Sequence, residues 1–450
     1  MPSLMETRCR TCPPPNDLFP FRVHENMKLL LRIRAHARRI FLLFIALHLS
    51  VLSAGPLLSK PSSAPENPAE EFRETAIVAI GDVHGDFDAF CGILKRVGLI
   101  DAQHQWTGSK STLVQTGDLI DRGAKGREAM DFLISLEKMA SNAGGQIIPL
   151  LGNHEIMNLV GDLRYVSTED YAHYADAESE KRRKAAYHDY TAWRDSHAGM
   201  LAALQPPVFP ATEEEWMAKH PPGFLEHNEL FGPAGIYGKW IRSHAAISKI
   251  SGIVFVHGGV DSALTSMKLD QINAQVHDEI EEFDSIKQYL VSRKIVLPFF
   301  TLQEIVAAVQ AQIHAERASK KTSDADSQAK FVRILGFGNS LSMREDGPLW
   351  FRGYDQWIEE EGSSQVEKIM DAYNVKHIVV GHTVQQTARI RSRFAGRVFL
   401  IDTGMLSTYW RGGRASALEI RDTRKFVAVY LDSEEVLFEE KPPSPASAEK

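Results

Sequence analysis

Cysteine is scarce in this chain. Three occur in 450 residues, Cys9 and Cys12 near the N-terminus and Cys91 alone beyond them. No disulfide framework can form in the folded part, and one Cys-x-x-Cys without a second pair is thin support for structural zinc. No Asn-x-Ser/Thr acceptor is present, so glycosylation gives no support to a secretory route. Excess basic charge is missing too. The formal net charge is −7, which does not suit a nucleic-acid backbone as partner.

Acid is absent from one stretch. No Asp or Glu occurs between Met27 and Pro65, where the basic residues Arg32, Arg34, Arg38 and Arg39 precede the apolar run Ile40 to Leu58. Small residues follow at Ser50, Ser53, Ala54 and Gly55. Basic, apolar, small is the order of a secretory signal. The strongest apolar part, Ile40 to Leu52, is shorter than the ~20 residues a membrane span needs. With Leu57 and Leu58 added it could just cross, so membrane attachment through an uncleaved anchor is the close alternative. An Arg-rich, acid-free start also resembles a plastid or mitochondrial transit peptide. The expected location is therefore the secretory pathway or a membrane, with an organelle as the alternative. Lys60 to Glu71 reads as a linker. The expected organisation is residues 1–71 as tail, apolar segment and linker, 72–440 as one domain, and 441–450 as a disordered tail.

What the rest of the chain does contain is a repeated conjunction of apolar run, glycine and metal-ligand residue. Gly81-Asp82-Val83-His84-Gly85 follows Thr75 to Ile80. Gly117-Asp118-Leu119-Ile120-Asp121-Arg122-Gly123 follows Thr112 to Thr116. Gly152-Asn153-His154-Glu155 follows Ile147 to Leu151. His257-Gly258-Gly259 follows Ile253 to Val256, and Gly381-His382-Thr383 follows His377 to Val380. Each run is short, apolar and β-rich, and reads as a buried strand. Val398 to Ile401 reads alike, while Pro149 weakens the third strand. Helical periodicity appears over Phe87 to Val97 and Arg127 to Met139. Strand, helix, strand at this spacing argues an α/β sandwich. Ala417 to Ile420, Phe426 to Leu431 and Val436 to Glu439 read as closing antiparallel strands, with Asp422-Thr423-Arg424 as a turn. Length alone would suggest about three domains at the ~150-residue prior, but the motifs run from Asp82 to His382, so one site draws on nearly the whole domain. Two long intervals, residues 160–245 and 262–345, interrupt the rhythm. The first is rich in aromatics (Tyr165, Tyr171, Tyr174, Tyr187, Tyr190, Trp193 and Trp216). Both are expected to cap the site, because ligands of open α/β sheets bind at the strands' C-terminal edge.

Taken singly, these residues have ordinary readings. Asp121 reads as a helix N-cap, Arg122 as a solvated helix residue, and a lone His after a strand as structural. Taken together they describe two metal ions. Asp82 and His84, at i and i+2, can share a cation if the strand pattern continues. Asp118 is placed to bridge two cations. Asn153 supplies a neutral amide oxygen, and His257 and His382 complete the nitrogen donors. Such a set suits Mn, Fe or Zn rather than Ca. A two-metal centre activates a bridging water for in-line attack on phosphorus. His154 is then the general acid for the leaving oxygen, with Asp121 holding its ring. Arg122 and Arg352 hold the phosphoryl oxygens, since planar guanidinium matches them.

In these residues the chain resembles the calcineurin-like metallophosphoesterases, over about residues 75–432. Asp121-Arg122-Gly123 and Gly152-Asn153-His154-Glu155 are similar to the phosphoprotein phosphatase branch. Glu155-Ile156-Met157-Asn158, Gly235-Ile236-Tyr237-Gly238-Lys239-Trp240 and Ile401-Asp402-Thr403-Gly404 are similar to its Shewanella-like protein phosphatases. The resemblance implies two central β-sheets flanked by helices. It implies Asp82, His84 and Asp118 for one metal, and Asp118, Asn153, His257 and His382 for the other. It also implies His154 with Asp121 as proton donor pair and Arg122 with Arg352 as phosphate ligands. The implied activity is phosphomonoester hydrolysis on phosphoproteins. The alternative is a nucleotide phosphohydrolase such as a dinucleoside tetraphosphatase, which shares very similar motifs. One departure stands out: the Ser-Ala-Pro-Asn-Tyr segment of eukaryotic Ser/Thr phosphatases is absent, and Asp402-Thr403-Gly404-Met405 stands near its place.

Overall fold

Alternation along the strands builds two sheets back to back. β1 (Ile77–Ile80), β2 (Thr112–Gln115) and β3 (Gln146–Pro149) pair in parallel, Ile77 opposite Thr112 and Thr112 opposite Gln146. β4 (Ile247–Ile250), β5 (Ile253–Val256), β6 (His377–Val380), β7 (Arg391–Arg393) and β8 (Val398–Leu400) form the second sheet. β9 (Ser416–Arg421), β10 (Lys425–Tyr430) and β11 (Glu434–Glu439) return to the first. The orders are β11-β10-β9-β1-β2-β3 and β4-β5-β6-β8-β7. Both are mixed: β1 meets β9 antiparallel, and β5, β6 and β8 are parallel between antiparallel edges. This computed structural model describes residues 76–320 and 323–440. The apolar N-terminal segment, its linker and the tail 441–450 lie outside the described residues. Among the described residues no helix is long and apolar enough to cross a membrane.

The side-chain period of two assigns each strand residue to a layer. Ile77, Ala79, Val114, Ile253, Phe255, Val379, Phe399, Leu418, Ile420, Phe426 and Ala428 face inward and make the apolar seam between the sheets. Phe399 and Phe426 stack across it with ring centroids 4.3 Å apart. The alternate residues Val78, Ile80, Leu113, Val254, Val256, Ile378, Val380, Val398 and Leu400 face outward into a second core under the helices. Pro149 is accommodated because β3 is the edge of its sheet, where a missing N–H breaks no ladder. Asp422 and Thr423 both take positive φ, 51° and 58°, within the three-residue turn of the β9–β10 hairpin, where Arg424 N donates to Arg421 O at 3.0 Å.

The two long intervals are helical. The first carries Ser179–Ser196 among shorter helices, and the second Leu269–Ser292, Leu302–Ser319 and Ala325–Leu335. The aromatic residues of the first do not line a cleft. Tyr174, Tyr190, Trp193 and Trp216 are buried in the same core that covers the outer sheet faces. Trp193 donates from Nε1 to Ile295 O at 3.1 Å, and its ring meets Phe300 edge to face at 4.7 Å. The intervals thus pack on each other and extend the core. Tyr165 reaches the motif residues, its ring 5.0 Å from that of His154.

Candidate active site

The parallel strands β1, β2, β5, β6 and β8 all deliver their C-terminal ends to one edge, and every motif residue sits just past such an end or past β3. Local conformation departs from what a continuing strand would give. β1 stops at Ile80, so Asp82 and His84 do not converge by strand alternation. His84 instead turns into the left-handed region at φ 50°. Asp121 and Arg122 are not at a helix start either. The next helix is Gly126–Asn142, and both residues lie in an irregular turn at φ 70° and 69°. Asp118 and His382 take φ 55° and 65°. Five non-glycine residues of one site in that sparsely allowed region is a local cost carried by the surrounding packing.

That packing is visible in two places. Gly117 has φ 96°, and a Cβ there would sit 2.5 Å from the backbone of Gly152, so the loops after β2 and β3 can touch. Glu155 then ties them: its carboxylate accepts from Asp118 N and Gly152 N at 2.8 Å and from Leu119 N at 2.9 Å. Burial, with the charge of Asp118 beside it, pushes the Glu155 carboxyl up to about 7. His154 N, in the first turn of helix Asn153–Val160, donates to Asp118 Oδ1 at 3.0 Å.

The donors converge around Asp118. His84 Nδ1 donates to Ile120 O at 3.1 Å, which leaves Nε2 facing Asp82 Oδ2 and Asp118 Oδ2, each at 3.8 Å. His257 Nδ1 donates to Thr116 O at 3.0 Å. Its Nε2 stands 3.3 Å from Asp118 Oδ2, 2.8 Å from Asn153 Oδ1 and 3.1 Å from His382 Nδ1. Asp118, His84 and His154 offer atoms within 4.8 Å of one another, and so do Asp118, His257 and His382. Asp118 is common to both groups, as a bridging carboxylate would be.

The first of these groups contains His154 where the resemblance places Asp82. Chemistry favours Asp82. His154 Nδ1 is 2.6 Å from Asp121 Oδ2, and its Nε2 is 3.3 Å from the Arg122 guanidinium, a neighbour that repels a cation. Asp121 is held in turn by Asn158, whose Nδ2 donates to Oδ1 at 2.9 Å. Arg352 is exposed at the other side of His382, donating from Nη1 to His382 O at 3.3 Å and Thr383 Oγ1 at 3.2 Å.

The electrostatics fit cations. Burial, Asp402 and Asp118 together push the Asp82 carboxyl well above the usual range. Burial drives His84 and His382 well below theirs, with His154 and Arg352 respectively adding repulsion, so both rings are neutral donors. For Asp118 burial opposes ionisation, but the His257 and His154 rings outweigh it and hold the carboxyl well below the usual range. For His257 burial opposes charge, and Asp118 overrides it and lifts the ring above its ordinary value. A bound metal ion would take the place of the proton that this pairing otherwise demands. His382 Nε2 and Asp402 Oδ2 are buried without a hydrogen-bond partner.

Several contributors carry weaker sequence signals. Glu155 and Asn158 extend a quoted motif but are not metal-ligand candidates. Asp402 follows β8 in the same strand-end pattern, and its Oδ1 accepts from Gly404 N at 2.9 Å. Tyr165 and Tyr409 lie against Arg122, and neither periodicity nor spacing marks them.

Comparison with known proteins identifies the family. The chain is 26% identical over 359 residues to Shewanella-like protein phosphatase 1 of Plasmodium berghei, covering 79% of this chain and 74% of that protein. It is 32% identical over 229 residues to Shewanella-like protein phosphatase 2 of Arabidopsis thaliana, covering 50% of this chain and 56% of that one. The solved structure of a mutant cold-active protein tyrosine phosphatase superimposes with a TM-score of 0.51 at 24% identity, over 83% of this chain and 89% of that chain, which shows a shared fold. The calcineurin-like phosphoesterase model matches residues 75–386, the span that carries the five glycine-flanked motifs from Asp82 to His382. The chain therefore belongs to the calcineurin-like phosphoesterase family and is a hydrolase of phosphate esters.

Proposed function

We propose that this chain is a metal-dependent phosphatase that removes phosphate from phosphoproteins. The observation that carries the reading is the His154–Asp121 pair, 2.6 Å apart, set beside Arg122 and within 3.8 Å of Asp118. Metal binding alone does not call for such a pair. Two relatives named protein phosphatases support the substrate class.

Asp82, His84 and Asp118 would hold one cation, and Asp118, Asn153, His257 and His382 the other. Mn, Fe or Zn suits these donors. When bound, the pair supplies an activated water and neutralises charge on the phosphoryl group. The chain's own residues do the rest. Arg122 and Arg352 present guanidinium N–H groups to the phosphoryl oxygens. Asp121 accepts from His154 Nδ1, which fixes the tautomer and turns Nε2 towards the site. His154 Nε2 then gives its proton to the leaving oxygen. Asn158 keeps Asp121 in place.

The test is a comparison of the full chain, supplied with Mn²⁺, on phosphopeptides and on dinucleoside polyphosphates. The expected ratio of kcat/KM is at least about a hundredfold in favour of phosphopeptides, the scale on which a site built for one substrate class discriminates. The buried state of Tyr174, Tyr190, Trp193 and Trp216 leaves those rings no nucleobase to stack on. Equal or greater rates on the nucleotides would replace this reading with a nucleotide phosphohydrolase.

A further inference from the structure

Arg122 is held in an unusual way for a half-buried arginine. Its Nε is buried with no hydrogen-bond partner, and its Nη2 stands 3.3 Å from His154 Nε2. Among the described residues no carboxylate forms a salt bridge with it. Instead its guanidinium carbon lies over two tyrosine rings, 3.8 Å from the Tyr409 centroid and 4.7 Å from that of Tyr165.

The rings come from opposite parts of the chain. Tyr165 stands at the start of the first helical interval, and its carbonyl accepts from Arg122 N at 2.9 Å. Tyr409 belongs to the segment after β8. That segment is folded back on itself by Thr403 Oγ1 donating to Arg414 O at 2.7 Å and by Gly413 N donating to Trp410 O at 2.8 Å. The same rings reach the rest of the centre. Tyr165 lies 5.0 Å from the His154 ring, and Tyr409 meets His84 edge to face at 5.7 Å.

We propose that Tyr165 and Tyr409 are positioning residues for Arg122, holding its guanidinium by their ring faces in place of a carboxylate. The logic is one of competition. A carboxylate would fix the arginine by occupying its fork of N–H donors and cancelling its charge, which are the two properties phosphate binding uses. An aromatic face attracts the cation through its quadrupole and takes no N–H. Arg122 is thereby fixed in direction while its charge and donors remain for the substrate. The left-handed backbone of Arg122, φ 69°, adds to the need for outside support. Both tyrosines hold the arginine and not the reacting atoms.

This inference rests on the reading of Arg122 as a phosphate ligand, but its test does not need turnover. Inorganic phosphate is titrated calorimetrically into the metal-loaded full chain and its variants. Tyr409→Leu and Tyr165→Leu are each expected to weaken phosphate binding about five- to tenfold, the range of a partly desolvated cation–π contact. Tyr409→Phe and Tyr165→Phe keep the ring face and are expected to bind as the parent does. In an Arg122→Ala background the Tyr409→Leu change is expected to cost nothing further. Thermal melting of each variant separates a folding defect from a loss of clamping. Should Tyr409→Leu fold poorly, Tyr409→Trp, which keeps a face, takes its place and is expected to bind normally. Unchanged phosphate affinity in both leucine variants overturns the proposal, and so does an equal loss with Arg122 already removed. A chain that binds phosphate in this pattern yet hydrolyses no phosphopeptide would leave the clamp standing and sink the phosphoprotein reading.

Discussion

At the scale of single residues the centre divides into atoms that meet the substrate and atoms that hold them. Under the proposed function, His154 is the clearest of the first kind. Its Nδ1 is spoken for by Asp121, and Asp121 by Asn158, so Nε2 is the nitrogen that faces Arg122 and Asp118. A general acid matters in proportion to how poor the leaving group is, which gives a signature that mere structural damage lacks. His154→Asn is expected to lower kcat on an alkyl phosphate by about 10²–10⁴. The same change should cost far less on a nitrophenyl ester, whose anion leaves unaided, and bound metal should stay as in the parent. Equal losses on the two esters would remove His154 from this role. The metal-ligand candidates and the His154–Asp121 pair were legible in the sequence because each closes an apolar run beside glycine. The backbone under them was not. His84, Asp118, Asp121, Arg122 and His382 adopt positive φ without being glycine, and residue type gives no sign of a conformation imposed by tertiary contacts. The Arg122 clamp was hidden for a related reason, since Tyr165 and Tyr409 are 244 positions apart by numbering and meet through the fold.

Between elements, a short segment does more than its length suggests. Residues 347–352 run across the loop that follows β5. Pro348 O accepts from Gly258 N and Gly259 N at 2.9 and 3.0 Å, and Trp350 approaches the His382 ring at 6.0 Å. Arg352 emerges from the end of this segment. Contact this close depends on Gly258: a Cβ there would lie 2.8 Å from Phe351 N and 2.9 Å from Trp350 N, both backbone atoms that cannot swing aside. Gly258→Ala is therefore expected to lift the segment and carry Arg352 away from His382. The cost of such overpacking is about 1–3 kcal/mol, read as a lower melting temperature. KM for a phosphomonoester should rise with it, and Arg352→Ala should raise KM no further in that background. Additive effects of the two changes would show that the segment does not position Arg352. The strands that could be read are those with apolar alternation on two covered faces, such as β5 and β6. β4 and β7 escaped notice because neither is a continuous apolar run: Ile247–Ile250 carries Ser248 and Lys249, and Arg391–Arg393 has no apolar residue, pairs with β8 through its backbone and is tied by its side chains to Asp355 and Glu359. The paired turn Asp121-Arg122 was mistaken for a helix start because an Asp before an apolar period also marks an N-cap, and the first turn of Gly126–Asn142 begins four residues later than that pattern implies.

Over the whole molecule the helical intervals behave as parts of one core. Asp170, in the first interval, shows how closely they are joined to the sheet scaffold. It is buried in the short helix Thr168–Ala172, beside the start of helix Gly126–Asn142, with one carboxylate oxygen unpartnered. Burial raises its carboxyl from 3.8 to about 8, and the charges of Asp121 and Glu128 add to the shift, against one backbone hydrogen bond from Gly126. The folded pKa lies above the unfolded one, so between pH 4 and 8, roughly, the folded state keeps a proton that the unfolded chain has released. The contribution of Asp170 is thus fully present in acid and is lost as pH rises through that window. Replacing it by Asn, which cannot ionise, removes the slope. Asp170→Asn is expected to gain on the parent as pH rises, with a melting-temperature difference about 5 °C more favourable at pH 8 than at pH 5. Differential scanning calorimetry across that range reads the comparison directly, with Asp121 and Glu128 left unchanged. A melting-temperature difference that stays constant with pH would mean that Asp170 ionises in the folded chain as it does in the unfolded one, and that the interval is less tightly joined to the scaffold than its burial indicates.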